Sequence, residues 1–161
     1  MDRASEREAQ EPAKIVVHLA DGTVVKGYME SAPALELEVL LGQPPRPFPT
    51  HLTLRSPQDG TRFQLDISKS KAVFFVKSFD GRRDYSEVKF FVNSPTIQGI
   101  WVQVRFKDNE YLEGVIHNSI HHLTGDGFFL KPPDPNSNNE MVYILKSSIV
   151  DYRVLGVRTT Y

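Results

Sequence analysis

The sequence predicts an all-β protein made of two tandem small five-stranded barrels that arose by internal duplication. Apolar residues alternate with polar ones over short stretches, as at Val102, Val104 and Phe106, and this period of two is typical of half-buried strands. Turn-forming residues separate these stretches at short intervals. The same order of strands and turns occurs twice in the 161 residues, which predicts two copies of one unit.

A predicted hairpin opens each half of the chain. In IVVHLADGTVVKGYM (residues 15–29) two strands flank Asp21-Gly22, a dipeptide suited to the left-handed backbone of a tight turn. In WVQVRFKDNEYLEGVI (residues 101–116) Asp108-Asn109 takes that place. The matched positions are Val17, Leu19, Asp21, Gly22, Val25 and Gly27 in the first half, and Val104, Phe106, Asp108, Asn109, Leu112 and Gly114 in the second. The last glycine of each set predicts a strand that bends sharply or passes close to another backbone.

Three further strands are predicted in each half. HLTLRSPQDGTRFQLDISKSKAVFFV (residues 51–76) and GFFLKPPDPNSNNEMVYILKSSIVDYRV (residues 127–154) each contain a strand, a turn with proline, a return strand, a Lys-Ser dipeptide and a last strand. The predicted organisation is a disordered tail over residues 1–13, a first barrel over 14–78 with an insertion over 32–50, a linker over 79–99, and a second barrel over 100–161.

The composition excludes several classes of function. The chain has 19 basic and 20 acidic residues, a formal net charge of −1, so no strong field draws the whole molecule to a polyanion. It has no cysteine, which excludes disulfides and thiolate chemistry. No signal peptide or membrane-spanning apolar run is present, so we predict a soluble cytoplasmic protein without a membrane partner. Known catalytic motifs are missing, and we predict a protein that is not an enzyme and uses no cofactor.

The pattern of both halves resembles the Sm-like small β-barrel, an SH3-like fold found in bacterial Hfq-type RNA chaperones. The dipeptides Lys69-Ser70 and Lys146-Ser147 stand where such proteins place a lysine–histidine pair before the last strand. The resemblance implies the fold and, as a function, RNA binding. Phrases such as KAVFFVKSFDG and VRFKDNEYLEG also resemble a family of uncharacterised small bacterial proteins.

Basic residues near aromatic ones suggest a nucleic-acid site. Residues 13–78 carry eight basic and six acidic side chains, a net charge of +2. Lys69 and Lys71 precede Phe74 and Phe75, and a mixture of positive charge and aromatic rings is typical of single-strand binding. The candidate nucleic-acid residues are Lys69, Lys71, Lys146, Arg55 and Arg62. The alternative is that the two phenylalanines lie in the core, as the alternation along this strand also allows.

Two other groups of residues suggest small ligands. Arg82, Arg83, Asp84 and Ser86 resemble the arginine and Asp-x-Ser elements with which PilZ barrels bind cyclic dinucleotides, and the alternative is an exposed charged loop. His117, His121 and His122 are the candidate metal ligands, because imidazoles at this spacing can share an ion if the loop folds back, and the alternative is a solvated loop.

The function predicted from these observations is that of a non-enzymatic binding or scaffolding protein, an adaptor for a protein partner or for a second copy of itself. The contact is expected at a sheet edge, with residues 71–77 or 151–157 as the pairing strand, or at the proline-rich insertion over residues 32–50. The proline-rich segment PPRPFP, residues 44–49, is expected to form a rigid exposed loop. An Sm-like RNA-binding protein and a cyclic dinucleotide sensor are the alternatives.

Overall fold

A computed structural model describes residues 12–29, 48–80, 98–118 and 120–158 of the chain. The described elements are strands, apart from short 3₁₀ turns at Ile120–His122 and Lys146–Ser148, so the predicted all-β class is confirmed. The strands are β1 (Ala13–Leu19), β2 (Val24–Met29), β3 (His51–Arg55), β4 (Arg62–Asp66), β5 (Ser70–Val76), β6 (Gly99–Phe106), β7 (Tyr111–Ile116), β8 (Gly127–Leu130), β9 (Asn139–Leu145) and β10 (Ile149–Arg158). No described helix is long and apolar enough to cross a bilayer.

The strands form two antiparallel sheets. The larger has seven strands in the order β4-β3-β2-β1-β5-β9-β8, and the smaller has three in the order β10-β6-β7. A single bridge between Val115 and Lys131 connects β7 with the residue that follows β8. Neither described sheet closes into a barrel, so the prediction of two separate barrels is not confirmed. The sheet stays open because β5, the last strand of the first half, uses its second edge to pair with β9 of the second half.

The two predicted hairpins are confirmed, and their turns have the same hydrogen bonds. In the first, the Leu19 amide donates to the Thr23 carbonyl at 2.9 Å and the Thr23 amide donates to the Asp21 carboxylate at 2.8 Å. In the second, the Phe106 amide donates to the Glu110 carbonyl at 2.9 Å, and the Glu110 amide donates to the Asp108 carboxylate at 3.0 Å. Gly22 (φ 89°) and Asn109 (φ 66°) supply the left-handed residue that such turns require.

Two glycines allow strands to pass closely, as the sequence predicted. A Cβ on Gly27 of β2 would lie 2.9 Å from the Cβ of Leu54 on β3. A Cβ on Gly114 of β7 would collide with the Leu130 side chain and with the carbonyl oxygen of Lys131. Each glycine therefore lets a strand of the opening hairpin lie against the next strand of its own half.

Two hydrophobic cores hold the sheets together, and both halves contribute to each. The first contains Val16, Ala72, Phe74, Val76, Ile100, Val102, Val104, Phe106, Ile116, Phe128, Leu130, Val142 and Ile144. The second contains Ile15, Val17, Met29, Leu52, Leu54, Ile67, Val73, Phe75, Met141, Tyr143 and Leu145. Alternate residues of β5 and of β9 enter different cores, so these two central strands are buried on both faces. Phe74 and Phe75 both lie in the cores, as the alternative interpretation of this strand expected.

Candidate functional site: the free edge of β10

β10 is a long strand with one edge that no described strand covers. It extends over ten residues and hydrogen-bonds to β6, its partner in the smaller sheet. Its large apolar side chains remain in solvent: Val154 is 53% exposed and Val157 is 60% exposed, and Val150, Tyr152 and Leu155 are exposed as well. A long apolar edge of this kind is uncommon in natural sheets, because it can pair with another chain.

The hydrogen bonds of β6 show which backbone groups of β10 point outward. The Phe106 amide bonds to the carbonyl of Glu110 just before β7, whereas the Lys107 amide bonds to that of Ser148 just before β10. In an antiparallel sheet, successive residues of a central strand hydrogen-bond alternately to one neighbouring strand and to the other. Val102 and Val104 therefore bond to β7, and the residues opposite them on β10 form no backbone hydrogen bonds with β6. These residues are Tyr152 and Val154. Their amides and carbonyls therefore face away from β6, toward the uncovered side.

β5 shows the same kind of strand when its second edge is occupied. β5 pairs with β1 on one side and with β9 on the other, and all of its residues are buried. Val73 and Phe75, which pair with Tyr143 and Met141 of β9, are 0% and 3% exposed. β5 therefore differs from β10 in two ways: it has a second neighbouring strand, and its two faces contribute residues to both cores.

A second uncovered edge in the described part of the chain, that of β4, is polar, whereas the remaining end strands, β7 and β8, face each other through the Val115–Lys131 bridge. The Ser56 amide bonds to the Thr61 carbonyl and the Ile67 amide to the Thr50 carbonyl, so by alternation Gln64 and Asp66 face outward. Both are exposed, and Asp66 accepts a hydrogen bond from the Ser68 amide at 2.8 Å. Polar residues on an edge strand oppose pairing with another chain. Of the edges of β4 and β10, that of β10 is therefore better suited to pairing with another chain.

A groove of about 760 Å³ lies where the turns of the two halves meet. The β1–β2, β4–β5 and β6–β7 turns and the turn before β10 line it. On its wall Lys71 donates hydrogen bonds to Asp108 at 2.8 Å and to Glu110 at 2.7 Å, and its ammonium lies 4.6 Å from the centre of the Phe106 ring. These contacts tie β5 to the β6–β7 turn across the two halves.

Burial and neighbouring charges shift the pKa values of three side chains that line the groove. Burial opposes the charge of Lys71, but hydrogen bonds to Asp108 and Glu110 outweigh this and raise the pKa of its ammonium. The hydrogen bond from Lys71, helped by the Glu110 amide, lowers the pKa of Asp108. Burial, followed by the positive charge of Lys71, lowers the pKa of His18 below 6.5. His18 is therefore neutral at pH 7 and packs against Phe74, with ring centres 4.7 Å apart.

The structure does not gather the candidate nucleic-acid residues into one patch. Arg55 and Arg62 occupy opposite positions on β3 and β4 next to the turn that joins these strands. The Arg55 guanidinium lies over the Tyr28 ring. Lys69 lies at the opposite end of β4, in the turn that lines the groove. The charge of Lys71 is already paired, and Lys146 lies in the 3₁₀ turn before β10. Nucleic-acid binding through these residues remains a prediction.

The other candidate sites are only partly described. Arg82, Arg83, Asp84 and Ser86 lie outside the described residues. His117 is exposed after β7, His122 is half-buried in the following 3₁₀ turn, and the side chain of His121 is not described. Among the side chains that the structure describes, no three histidines and carboxylates are grouped so that they could hold a metal ion.

The sequence predicted that residues 71–77 or 151–157 form a pairing edge. The first segment pairs with β9 inside the chain, and pairing of the second with another chain remains a prediction. The partners of Lys71 were missed, because Asp108 and Glu110 are distant in sequence. A lysine inside the apolar run KAVFFV was the one signal that a buried ion pair forms there.

A family model, that of the family of unknown function DUF6982, matches residues 11–156. The chain belongs to this family. The matched region contains β1 to β9 in full and β10 up to Gly156. The family model therefore spans both described sheets of this DUF6982 protein. No curated protein and no solved structure matches the chain.

Proposed function

We propose that this DUF6982 protein is a non-enzymatic binding or scaffolding protein that engages another polypeptide by strand addition at β10. The observation that carries the proposal is the apolar edge of this ten-residue strand, which none of the described strands covers. In strand addition, the backbone of an extended segment supplies the affinity through hydrogen bonds, and alternate side chains supply specificity. The outward amides and carbonyls of Tyr152 and Val154 meet the first requirement, and their exposed side chains meet the second.

The correspondence between the two halves of the chain supports this proposal. The first five strands have the order β5-β1-β2-β3-β4, and the second five have the order β10-β6-β7 followed, through the Val115–Lys131 bridge, by β8 and β9. The opening turns and the close-packed glycines also correspond. We infer two copies of one Sm-like, SH3-like unit in which β10 is the counterpart of β5. β5 then has a neighbour on each edge, whereas its counterpart β10 has only β6 among the described strands.

The groove is a weaker candidate for a protein-binding site than the β10 edge, and it is a still weaker candidate for a nucleic-acid site. Its lining combines three lysines with three carboxylates, namely Lys69, Lys71, Lys107, Asp21, Asp108 and Glu110, and two of the carboxylates already pair with Lys71. A polyanion binds where positive charge is unpaired and contiguous. The RNA alternative is therefore supported by the fold resemblance but not by the arrangement of charge in the groove.

Selection from a library of displayed peptides on the immobilised protein tests the proposal. We expect selected peptides to alternate apolar and polar residues and to bind about tenfold more weakly to Val154→Pro, because one lost backbone hydrogen bond costs about 1 kcal/mol and the ring adds a steric clash. Val154→Thr is the matched control, since it keeps the amide and the branched side chain. Selected peptides that bind both variants equally would place the binding surface elsewhere and overturn the proposal.

A further inference from the structure

The sequence of β10 is self-complementary at its uncovered edge. Val150-Asp151-Tyr152-Arg153-Val154 has a valine at each end, opposite charges next to the centre and an aromatic residue in the middle. We propose that the strand added to β10 is β10 of a second copy of this chain, paired antiparallel about Tyr152 in a two-fold symmetric dimer. This inference rests on the proposed strand addition and names its partner.

Charge complementarity sets the register of the pair. With Tyr152 opposite Tyr152 of the second copy, Asp151 of each copy lies opposite Arg153 of the other. Within one chain the Arg153 Nε already lies 3.1 Å from the Asp151 carboxylate, on a face where the side chain of Arg153 is 68% exposed. The second copy presents the same two charges in reverse order. Four charges of alternating sign then meet around the two-fold axis, and opposite charges across strands stabilise a sheet.

The apolar side chains support the same register. Tyr152 and Val154 pair with Val104 and Val102 of β6, so they extend the buried face of the smaller sheet into solvent. Tyr152 also packs edge-on against Phe128, with ring centres 6.1 Å apart. In the dimer Val150 lies opposite Val154 at both ends of the pair. The two smaller sheets become one continuous sheet in which this apolar face is shared by both copies.

The alternative partner within a second copy is β4, and its chemistry fits less well. β9, the strand that covers β5, places Met141 and Tyr143 opposite Phe75 and Val73. The outward positions of β4 carry Gln64 and Asp66. These polar side chains would lie against the apolar side chains of β10 and would not bury them well. β10 itself carries apolar residues at its outward positions. A second β10 therefore provides the cover that β4 does not.

Sedimentation velocity over a range of protein concentrations tests the inference on the full chain. We expect the native protein to form a dimer of twice 18.3 kDa. Val154→Pro is expected to be monomeric, and Val154→Thr and Gln64→Pro are expected to remain dimeric. A native protein that stays monomeric at high concentration overturns the inference, and so does a loss of dimer in Gln64→Pro, which would assign the contact to β4.

Charge exchange gives a second test that does not depend on a proline. Arg153→Asp places acids opposite acids and Asp151→Arg places bases opposite bases, so each variant alone should dimerise at least about tenfold more weakly. The double exchange Asp151→Arg with Arg153→Asp should restore the dimer, and a mixture of the two single variants should form a heterodimer. A lack of rescue in both cases overturns the register.

The two experiments separate the inference from the proposed function. If the native protein is monomeric and the selected peptides still distinguish Val154→Pro from Val154→Thr, strand addition stands and only the second copy is excluded. If Val154→Pro changes neither peptide binding nor self-association, both proposals fail.

Discussion

Lys71 shows how a charged side chain is kept inside this protein. Its side chain is 10% exposed, whereas those of Asp108 and Glu110 are each 55% exposed. The ammonium is thus desolvated and both carboxylates keep most of their water. The buried ammonium is stabilised by its hydrogen bonds to the two carboxylates and by the Phe106 ring, and these contacts fix the position of the β6–β7 turn on β5.

His18, next to Lys71, gives a pH dependence with a definite sign. Because burial and the charge of Lys71 lower its pKa in the folded protein, the unfolded chain binds the proton more readily. The contribution of His18 to the free energy of unfolding should therefore be constant above about pH 7 and decrease as the pH falls below the ordinary histidine pKa of about 6.5. Urea denaturation at a series of pH values measures this decrease.

The variant His18→Phe should flatten this pH dependence, because the new ring can pack on Phe74 but cannot bind a proton. His117→Gln, at an exposed position after β7, is the control and should leave the decrease unchanged. An equal slope in native protein and His18→Phe between pH 7 and pH 5 would contradict the assignment to His18.

At the scale of elements, a strand's sequence does not reveal its neighbours. SKAVFFV in β5 and IVDYRVLGVR in β10 both predict a last strand, and both form one. β5 is buried along its length because β9 pairs with its second edge and a core lies on each of its faces, whereas β10 is largely exposed. The charged residues Asp151 and Arg153 are a local signal that β10 meets water or another charged strand, whereas β5 has a single charge in seven residues.

The close approach of β7 to the chain after β8 is the prediction that belongs to this scale. Gly114→Ala should lower the free energy of unfolding by about 1–3 kcal/mol, because the new methyl group meets the carbonyl of Lys131, whose hydrogen bond to the Val115 amide fixes it in place. Gly156→Ala is the matched strand control. Its methyl would lie 3.5 Å from the Trp101 ring, an ordinary contact, and should change stability by less than about 0.5 kcal/mol. Equal effects of the two variants in urea denaturation would contradict the close contact.

At the scale of the whole molecule, the two halves share their cores and should unfold together. Leu54 and Leu130 are 1% and 0% exposed and lie in different cores. Each Leu→Ala variant should lower the free energy of unfolding by about 2–5 kcal/mol, because both the transfer energy and the cavity count against the folded state. Both variants should shift one common transition, since β5 and β9 belong to both cores.

Differential scanning calorimetry measures this cooperativity. A single transition whose calorimetric and van't Hoff enthalpies agree is expected for the native protein and for both variants. Two transitions, of which Leu54→Ala shifts one and Leu130→Ala the other, would show that the halves fold as separate barrels and would contradict the shared sheet.

Local features of this protein could be read from its sequence. The period of two predicted the strands, and Asp21-Gly22 and Asp108-Asn109 predicted the turns because turn geometry depends on a few adjacent residues. Gly27 and Gly114 predicted close backbone contacts for the same kind of reason. These are properties of short segments, and short segments carry their own conformational preferences.

The tertiary structure alone decided which edges are occupied. It placed β9 beside β5, gave Lys71 its two carboxylates and left β10 uncovered among the described strands. Every antiparallel edge offers the same alternating amides and carbonyls, so hydrogen bonding does not select one partner strand over another. The choice depends on which apolar faces can be buried together, and that is a property of the assembled sheets.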